Sequence, residues 1–310
     1  MPIEDRKLFF IVGRCGRLAN RLSLFATFIA LTEELGERLI NLTFHSYAHL
    51  FETTRRDILC QYPVPDQPGW VNDIPGLPPL IRKTRIATHL LQAAHRANEW
   101  LPIFPEPSVL LRQAWGQLIT PLECAEVQNQ IRDAQTVLIS GWTFRAPEFV
   151  RRHQDKIRSY FHPIEAHAQT SRRTVEQLRE QADVVIGVHI RQGDYATWRG
   201  GIYFFPTARY AAWMHELADQ YSPRKVAFLV CSNEARSEKE FPGLAVRFGT
   251  GVPIADLYSL AGCDCIIGPV SSFSQWASFY GEKPLFFVTN GNAEVRRERF
   301  RVSDLGEVPH

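Results

Sequence analysis

The residues best equipped for chemistry are His189 to Tyr195, HIRQGDY, directly after the apolar run VVIGV. Arg191 offers a planar guanidinium fork that matches a phosphate, and Gly193 permits close backbone approach. His189 and Asp194 supply an acceptor or a proton carrier beside it. A second group is GPVSSFSQW, Gly268 to Trp276, in which Ser271, Ser272 and Ser274 crowd the start of an expected helix. Hydroxyls and unpaired N–H groups converge there at the positive end of the helix dipole. A third is GRLANRL, Gly16 to Leu22, where Gly16, Asn20, Arg17 and Arg21 put donors at another strand-to-helix junction. All three fit anion binding. Each also has a plain structural reading: a salt-bridged turn, a serine N-cap, and a turn with exposed arginines.

The elements that position these groups follow from periodicity. Val184, Val185, Ile186 and Val188, interrupted only by Gly187, read as a buried strand of a parallel sheet, whose carboxyl end is where ligands bind. Beyond the polar helix expected over 162–181, strands and helices alternate. Strand DVVIGVHIR is followed by a helix from Pro206 to Gln220 with the proline in its first turn, strand VAFLVCS, a helix, and a strand near Val246. Helix IADLYSLAGC, strand DCIIG, helix FSQWASFYG and strand PLFFV complete the series. Short connections and strict alternation predict a doubly wound parallel sheet. The first half opens with strand LFFIVG, then a helix with Leu18, Leu22, Phe25, Phe28, Ile29 and Leu35 at helical spacing, stopped by Gly36. Strand LINLTF follows, and TVLISGW restores a strand after a long interval. Prolines crowd residues 60–107 around one helical run, IRKTRIATHLLQAAHRANEW, reading as an insertion or a loop-built substrate surface. The working division is 1–161 and 162–310, two Rossmann-like halves facing across a cleft.

Composition narrows the possibilities. The 310 residues are 45% hydrophobic and 22% charged, as in a folded globular protein. A net charge of +2 argues against wholesale nucleic-acid binding. Six cysteines without a dense framework indicate free thiols in a reducing compartment. Cys263 and Cys265 read as same-face residues of one strand, and a lone C-x-C is poor zinc evidence. No apolar stretch reaches the length of a membrane span, and LFATFIAL is a core helix, so a cytoplasmic protein is expected. Neither G-x-G-x-x-G nor G-x-x-x-x-G-K-S/T occurs, which weakens oxidoreductase and P-loop readings.

Taken in this order and spacing, the three stretches resemble the superfamily of GDP-fucose-dependent fucosyltransferases, which includes bacterial α-1,2 enzymes, α-1,6 enzymes and protein O-fucosyltransferases. GRLANRLSLFA is similar to the family's opening G-G-L-G-N-Q-L, HIRQGDY to its H-x-R-R-G-D-Y, and DLYSLAGCDCIIGPVSSFSQW to its most specific segment, which ends S-S-F-S-W-W. The resemblance is firm from about Val184 to Val288. It implies an α/β, GT-B-like fold with the donor on the C-terminal domain and the N-terminal domain on the acceptor side. It further implies inverting transfer of L-fucose from GDP-fucose to a glycan hydroxyl, with no metal and no cofactor. Arg191 would contact the donor's β-phosphate, Ser271, Ser272 and Ser274 would hold the pyrophosphate, His189 and Asp256 would recognise guanine, and Gly16 and Asn20 would close over the phosphates. The chain departs from the pattern at Gln192, which replaces a second arginine, at Arg17, Ala19 and Arg21 in the opening, and at Gln275.

Cleaving the sugar–nucleotide bond develops negative charge on the leaving phosphate, which makes Arg191 the principal catalytic candidate. Asp194 and Glu234, each at a strand end, are the candidates for the base that activates the acceptor. No D-x-D string calls for a divalent ion, since residues 263–265 read CDC. Two neighbouring readings stay open: a transferase using another nucleotide sugar, and a nucleotide-binding pseudoenzyme, the latter suggested by Gln192.

Overall fold

The computed structural model describes residues 6–13, 16–57, 59–66, 107–113 and 119–306. The helical run expected at residues 81–100 lies outside them. The chain divides into two compact units, Met1–Ile164 and Glu165–His310.

The first unit contains β1 (Leu8–Ile11), α1 (Leu18–Leu35), β2 (Arg38–Asn41), β3 (Gln61–Tyr62), β4 (Ser108–Arg112) and β5 (Thr120–Pro121). These are followed by α2 (Ala125–Asp133), β6 (Thr136–Ser140), β7 (Phe144–Arg145), α3 (Pro147–Arg152) and α4 (Gln154–Tyr160). Its main sheet has the order β3-β2-β1-β6-β4, parallel except for β3, and β5 pairs with β7 separately. Helix α1 is buried from Leu22 to Thr32, so LFATFIAL is core, whereas Leu35 in its last turn is 38% exposed. Gly36 ends it in the left-handed conformation at φ 71°, and the next N–H, of Glu37, closes back onto the Thr32 carbonyl. Strand β2 stops earlier than LINLTF suggests. The Asn41 carboxamide oxygen accepts from both the N–H and the hydroxyl of Thr43, turning the chain into a single 3-10 turn at Phe44–Ser46. Phe25, Phe44, Tyr160 and Phe161 meet edge to face around α1.

The second unit contains α5 (Glu165–Arg179), β8 (Val184–Ile190), α6 (Thr207–Tyr221), β9 (Val226–Ser232), β10 (Val246–Phe248), α7 (Pro253–Gly262), β11 (Cys265–Pro269), α8 (Ser272–Gly281) and β12 (Leu285–Val288). All five strands are parallel, in the order β10-β9-β8-β11-β12. The chain runs outward from β8 through β9 to β10, then returns to the other side of β8. The order therefore reverses between β8 and β11, the position where open α/β sheets leave a crevice beyond the strand ends.

Strand β8 is buried at every residue, which explains its unbroken apolar run. Val184, Ile186, Val188 and Ile190 join Tyr210, Trp213, Met214 and Leu217 of α6 in one core cluster. The alternate residues face the other side, where a Cβ on Gly187 would come within 2.8 Å of the Leu260 side chain, so only glycine lets α7 pack this closely.

Three local expectations are corrected. Pro206 is the N-cap of α6, with extended ψ of 147°, rather than a first-turn residue. The helix expected between β9 and β10 is a single 3-10 turn, Glu238–Glu240, closed by a Ser237–Glu240 capping box and stopped before Pro242. Cys263 is the C-cap of α7 and only Cys265 lies on the strand, so they are not same-face residues of one strand. Both are free, buried thiols, and burial raises the Cys265 thiol to about 11. Asp264 between them ties the start of β8 to the end of α5. It accepts from the Val185 N–H at 2.8 Å and pairs bidentately with Arg179, whose guanidinium holds its carboxyl below the usual range against the opposing effect of burial.

Candidate active site at the end of strands β8 and β11

The register Ile267↔Val188 places the ends of β11 and β8 side by side. Gly268 makes the junction possible: a Cβ there would stand 3.0 Å from both the His189 Cβ and the Ser274 hydroxyl. His189 therefore lies directly against the first turn of α8, sharing a 2.7 Å hydrogen bond between Nδ1 and Ser274 Oγ, with its ring 5.0 Å from that of Phe273. At 4% exposed, burial drives its pKa down to about 3, and the Arg191 charge adds to the effect. His189 is a neutral hydrogen-bonding group at neutral pH, which corrects its reading as a proton carrier.

Arg191 is the first residue past β8. Its guanidinium pairs with Asp194 at 2.8 Å and stands 5.6 Å from the centre of the Tyr195 ring. Tyr195 is anchored in turn, donating from its hydroxyl to the Val270 carbonyl at 2.7 Å. One tyrosine thus fixes the Arg191 loop to the residue preceding the serine cluster. Ser271 is the N-cap of α8 and accepts from the Phe273 N–H. The first intrahelical bond runs from Gln275 N–H to the Ser271 carbonyl, which leaves the Ser272 and Ser274 N–H groups without an intrahelical acceptor. The structure therefore brings His189, Arg191, Asp194, Ser271, Ser272 and Ser274 together at the switch point. The Ser274 hydroxyl is directed at His189 rather than outward.

Glu234 joins this group from β9: its carboxylate would lie 3.4 Å from a Cβ on Gly193. It pairs with Arg236 at 3.2 Å. Asp256 makes its carboxylate hydrogen bonds with its own loop rather than with these groups. It is 5% exposed and accepts from the Thr250 N–H and hydroxyl on one oxygen and from the Gly251 N–H on the other. Burial raises its pKa while these donors oppose the rise. Three of about four lone-pair sites are occupied by its own loop, which leaves room for one further donor.

Two residues whose roles the sequence does not reveal organise the site. Gln192 is buried at 7% exposure, donates to the Phe205 carbonyl at 2.9 Å, and accepts from Arg236 on its side-chain oxygen. Its backbone N–H donates to Asn233 Oδ1. Arg236 also donates to Ser232, Thr207 and Glu240. A single guanidinium thus joins the ends of β8 and β9 to the start of α6. No sequence signal marks it, because its partner Gln192 is 44 residues away. Arg236→Leu is expected to lower unfolding free energy by about 1–3 kcal/mol, the cost of leaving the buried Gln192 oxygen unsatisfied. A urea midpoint equal to wild type would contradict this.

In the first unit, Gly16 has φ +55° and a Cβ there would lie 2.6 Å from the Asn20 Cβ, so the two form one compact turn before α1. Arg17 occupies the N-cap position of α1 without a side-chain cap and is exposed. Arg21 corrects the expectation of an anion donor. It is 4% exposed and turned inward, donating to the Thr43 carbonyl at 2.7 Å and Ser46 at 2.9 Å and standing over Tyr47.

Solved structures share this arrangement of elements. A mutant of Arabidopsis thaliana FUT1 in complex with GDP superposes with a TM-score of 0.61 at 14% identity, covering 92% of this chain and 70% of that one. Fucosyltransferase NodZ from Bradyrhizobium gives 0.55 at 17% identity, over 93% and 97% of the two chains. NodZ α-1,6-fucosyltransferase soaked with GDP-fucose gives 0.52 at 15%, over 91% and 94%. The chain has the fucosyltransferase fold. Two Rossmann-like α/β units, each with a five-stranded sheet, make up the expected GT-B-like class. No family model matches the sequence, and no curated protein resembles it in sequence. Among the described residues no helix is long and apolar enough to cross a membrane.

Proposed function

We propose that the chain is a glycosyltransferase that moves L-fucose from GDP-fucose to a glycan hydroxyl, with inversion and without a metal ion. The observation that carries this reading is the meeting of Arg191 and the serine-capped start of α8 at the switch point of the second unit's sheet. A guanidinium and a helix N-terminus both stabilise negative charge, the charge that grows on the β-phosphate as the sugar departs. Structures with this fold hold GDP in FUT1 and were soaked with GDP-fucose in NodZ, which supports GDP-fucose as the donor.

In the proposed mechanism Arg191 moves from Asp194 onto the β-phosphate, and the Ser272 and Ser274 N–H groups with the Ser271 and Ser272 hydroxyls hold the pyrophosphate, the Ser274 hydroxyl staying on His189. His189, neutral, fixes Ser274 and the first turn of α8. Asp256 takes one donor from guanine at its remaining acceptor position. An acceptor hydroxyl attacks the face of the sugar opposite the nucleotide, its proton passing to a carboxylate at these strand ends, Asp194 or Glu234. Localisation in the cytoplasm belongs to the same proposal.

Calorimetric titration of the full chain tests the donor. GDP is expected to bind at least ten-fold more tightly than ADP or UDP, and Asp256→Asn is expected to reduce that preference. Equal affinity for the three nucleotides in wild type would overturn the GDP reading. An equal loss for all three in the variant would show that Asp256 only braces the Thr250–Gly251 loop.

A further inference from the structure

The paired register of β8 and β9 ends at Ile190 and Ser232, and Arg191 lies one residue beyond it. A chain leaving a sheet normally gains freedom at once, because its N–H and carbonyl groups turn to water. Here a side chain continues the ladder. The Asn233 carboxamide oxygen accepts from the Gln192 N–H at 2.9 Å, and its nitrogen donates to the Gln192 carbonyl at 3.3 Å. One carboxamide thus takes the place of a partner strand. The same carbonyl also accepts from the Tyr195 N–H at 3.2 Å. Gly193 follows in the left-handed conformation at φ +59°, and a Cβ there would come 3.0 Å from Asn233 Nδ2, so the turn closes directly against this carboxamide.

The Gln192 side chain is fixed as well, donating to the Phe205 carbonyl and accepting from Arg236. Arg236 is itself fully engaged. Its Nε donates to Ser232, Nη1 to Thr207 and Glu240, and Nη2 to Gln192 and Glu234, which uses all five guanidinium N–H groups. Every polar group of Gln192, main chain and side chain, is therefore committed. Arg191 contrasts with this neighbour. Its guanidinium is held by one ion pair, to Asp194 on the same loop, and by the Tyr195 ring. Its main chain stands between a buried strand and a pinned residue, while its side chain can leave Asp194 for an anion.

We propose that Asn233 is a positioning residue for the transfer: by holding the main chain of Gln192 it aims the Arg191 guanidinium at the departing β-phosphate. The inference rests on the transferase reading and adds to it a residue that acts through Arg191. A guanidinium stabilises a developing charge to the extent that it is in place before the charge appears, and a displacement of about 1 Å can cost about a hundred-fold in rate. The arginine stem is long and flexible, so the fixed point from which it is aimed is its own main chain. Beyond β8 that point is set by Gln192, and the main chain of Gln192 is set by Asn233. Asn233 is itself exposed, so trimming its carboxamide loosens this turn and leaves the buried core in place.

The experiment compares the full chain as wild type, Asn233→Ala, Arg191→Ala and the double variant, following GDP release from GDP-fucose in buffer alone and with lactose added. Asn233→Ala is expected to lower kcat by about ten- to a hundred-fold, with KM for GDP-fucose within about three-fold of wild type and the melting temperature within a few degrees. Placed on Arg191→Ala, the same substitution is expected to lower kcat by less than about three-fold, because the group it aims is already gone. Amide hydrogen exchange gives a readout that needs no turnover. The Gln192 N–H is expected to exchange at least about ten-fold faster in Asn233→Ala, with the Val188 N–H unchanged. Losses that multiply in the double variant, a raised KM with kcat retained, or unchanged Gln192 exchange would each overturn the proposal. Failure of the transferase reading is seen separately, as GDP-fucose left intact by the wild-type chain, and it removes this inference as well.

Discussion

Arg191→Ala is expected to lower kcat/KM for fucosyl transfer by about a thousand-fold or more while leaving the melting temperature within a few degrees of wild type. The size follows from where the charge appears. Bond cleavage places a full additional charge on the leaving nucleotide, and removing one preorganised donor from such a charge typically costs two to three orders of magnitude, with a cationic donor at the upper end. The small effect on stability follows from how little of the fold Arg191 holds. It makes one ion pair to Asp194, whose side chain is half exposed, and one stacking interaction with Tyr195. Exposed pairs of that kind contribute only about 0–1 kcal/mol. Because the interaction strengthens as the sugar leaves, kcat and kcat/KM should fall together, with a much smaller change in GDP affinity. Arg191→Lys keeps the charge but loses the fork, and is expected to recover only part of the rate. Steady-state kinetics with GDP-fucose decide the matter, and unchanged turnover in Arg191→Ala would remove this residue from the chemistry.

The parts of this site that could be read from the sequence are those fixed by local physics. A β-branched run can only be a buried strand when both faces are covered, and β8 is covered on both. Three serines after an apolar strand announce a helix start because an N-cap needs a side-chain acceptor, which Ser271 provides. The alternation of strands and helices gave the parallel sheet and, with it, the strand ends. Contacts across sequence distance were not legible. Gln192 stood out as a departure from the family pattern, yet its task is to accept from Arg236 and hold the end of β8 against that of β9. Arg21 is spaced like a surface arginine on a helix start, but the carbonyl of Thr43, freed where β2 ends early, draws it inward. Asp256 has the composition of a ligand carboxylate, and its loop's N–H groups already occupy most of it. In each case a polar group found its partner on an element whose approach depends on tertiary packing rather than on neighbouring residues.

The second large effect is on acid stability and arises from His189. An unfolded histidine titrates near 6.5, whereas in the fold burial, helped by the Arg191 charge, holds this one down to about 3. Between these values the unfolded chain binds a proton that the folded chain does not, so stability falls as pH falls. The contribution is intact above about pH 7 and is lost by about 1.4 kcal/mol per pH unit below about 6.5. His189→Asn retains an amide able to meet the Ser274 hydroxyl but cannot titrate. Both proteins share every carboxylate, so the difference between their unfolding free energies isolates the imidazole. That difference is expected to be nearly flat from pH 7 to 8 and to move by about 2 kcal/mol, in favour of the variant, between pH 6.5 and 4.5. Parallel curves from urea denaturation would mean that His189 accepts a proton in place. The consequence reaches function, because an imidazolium beside Arg191 would compete for the phosphate and push the guanidinium outward. Keeping His189 neutral adds no second positive charge directly beside Arg191, which in the proposed mechanism meets the departing nucleotide next to the N-terminus of α8.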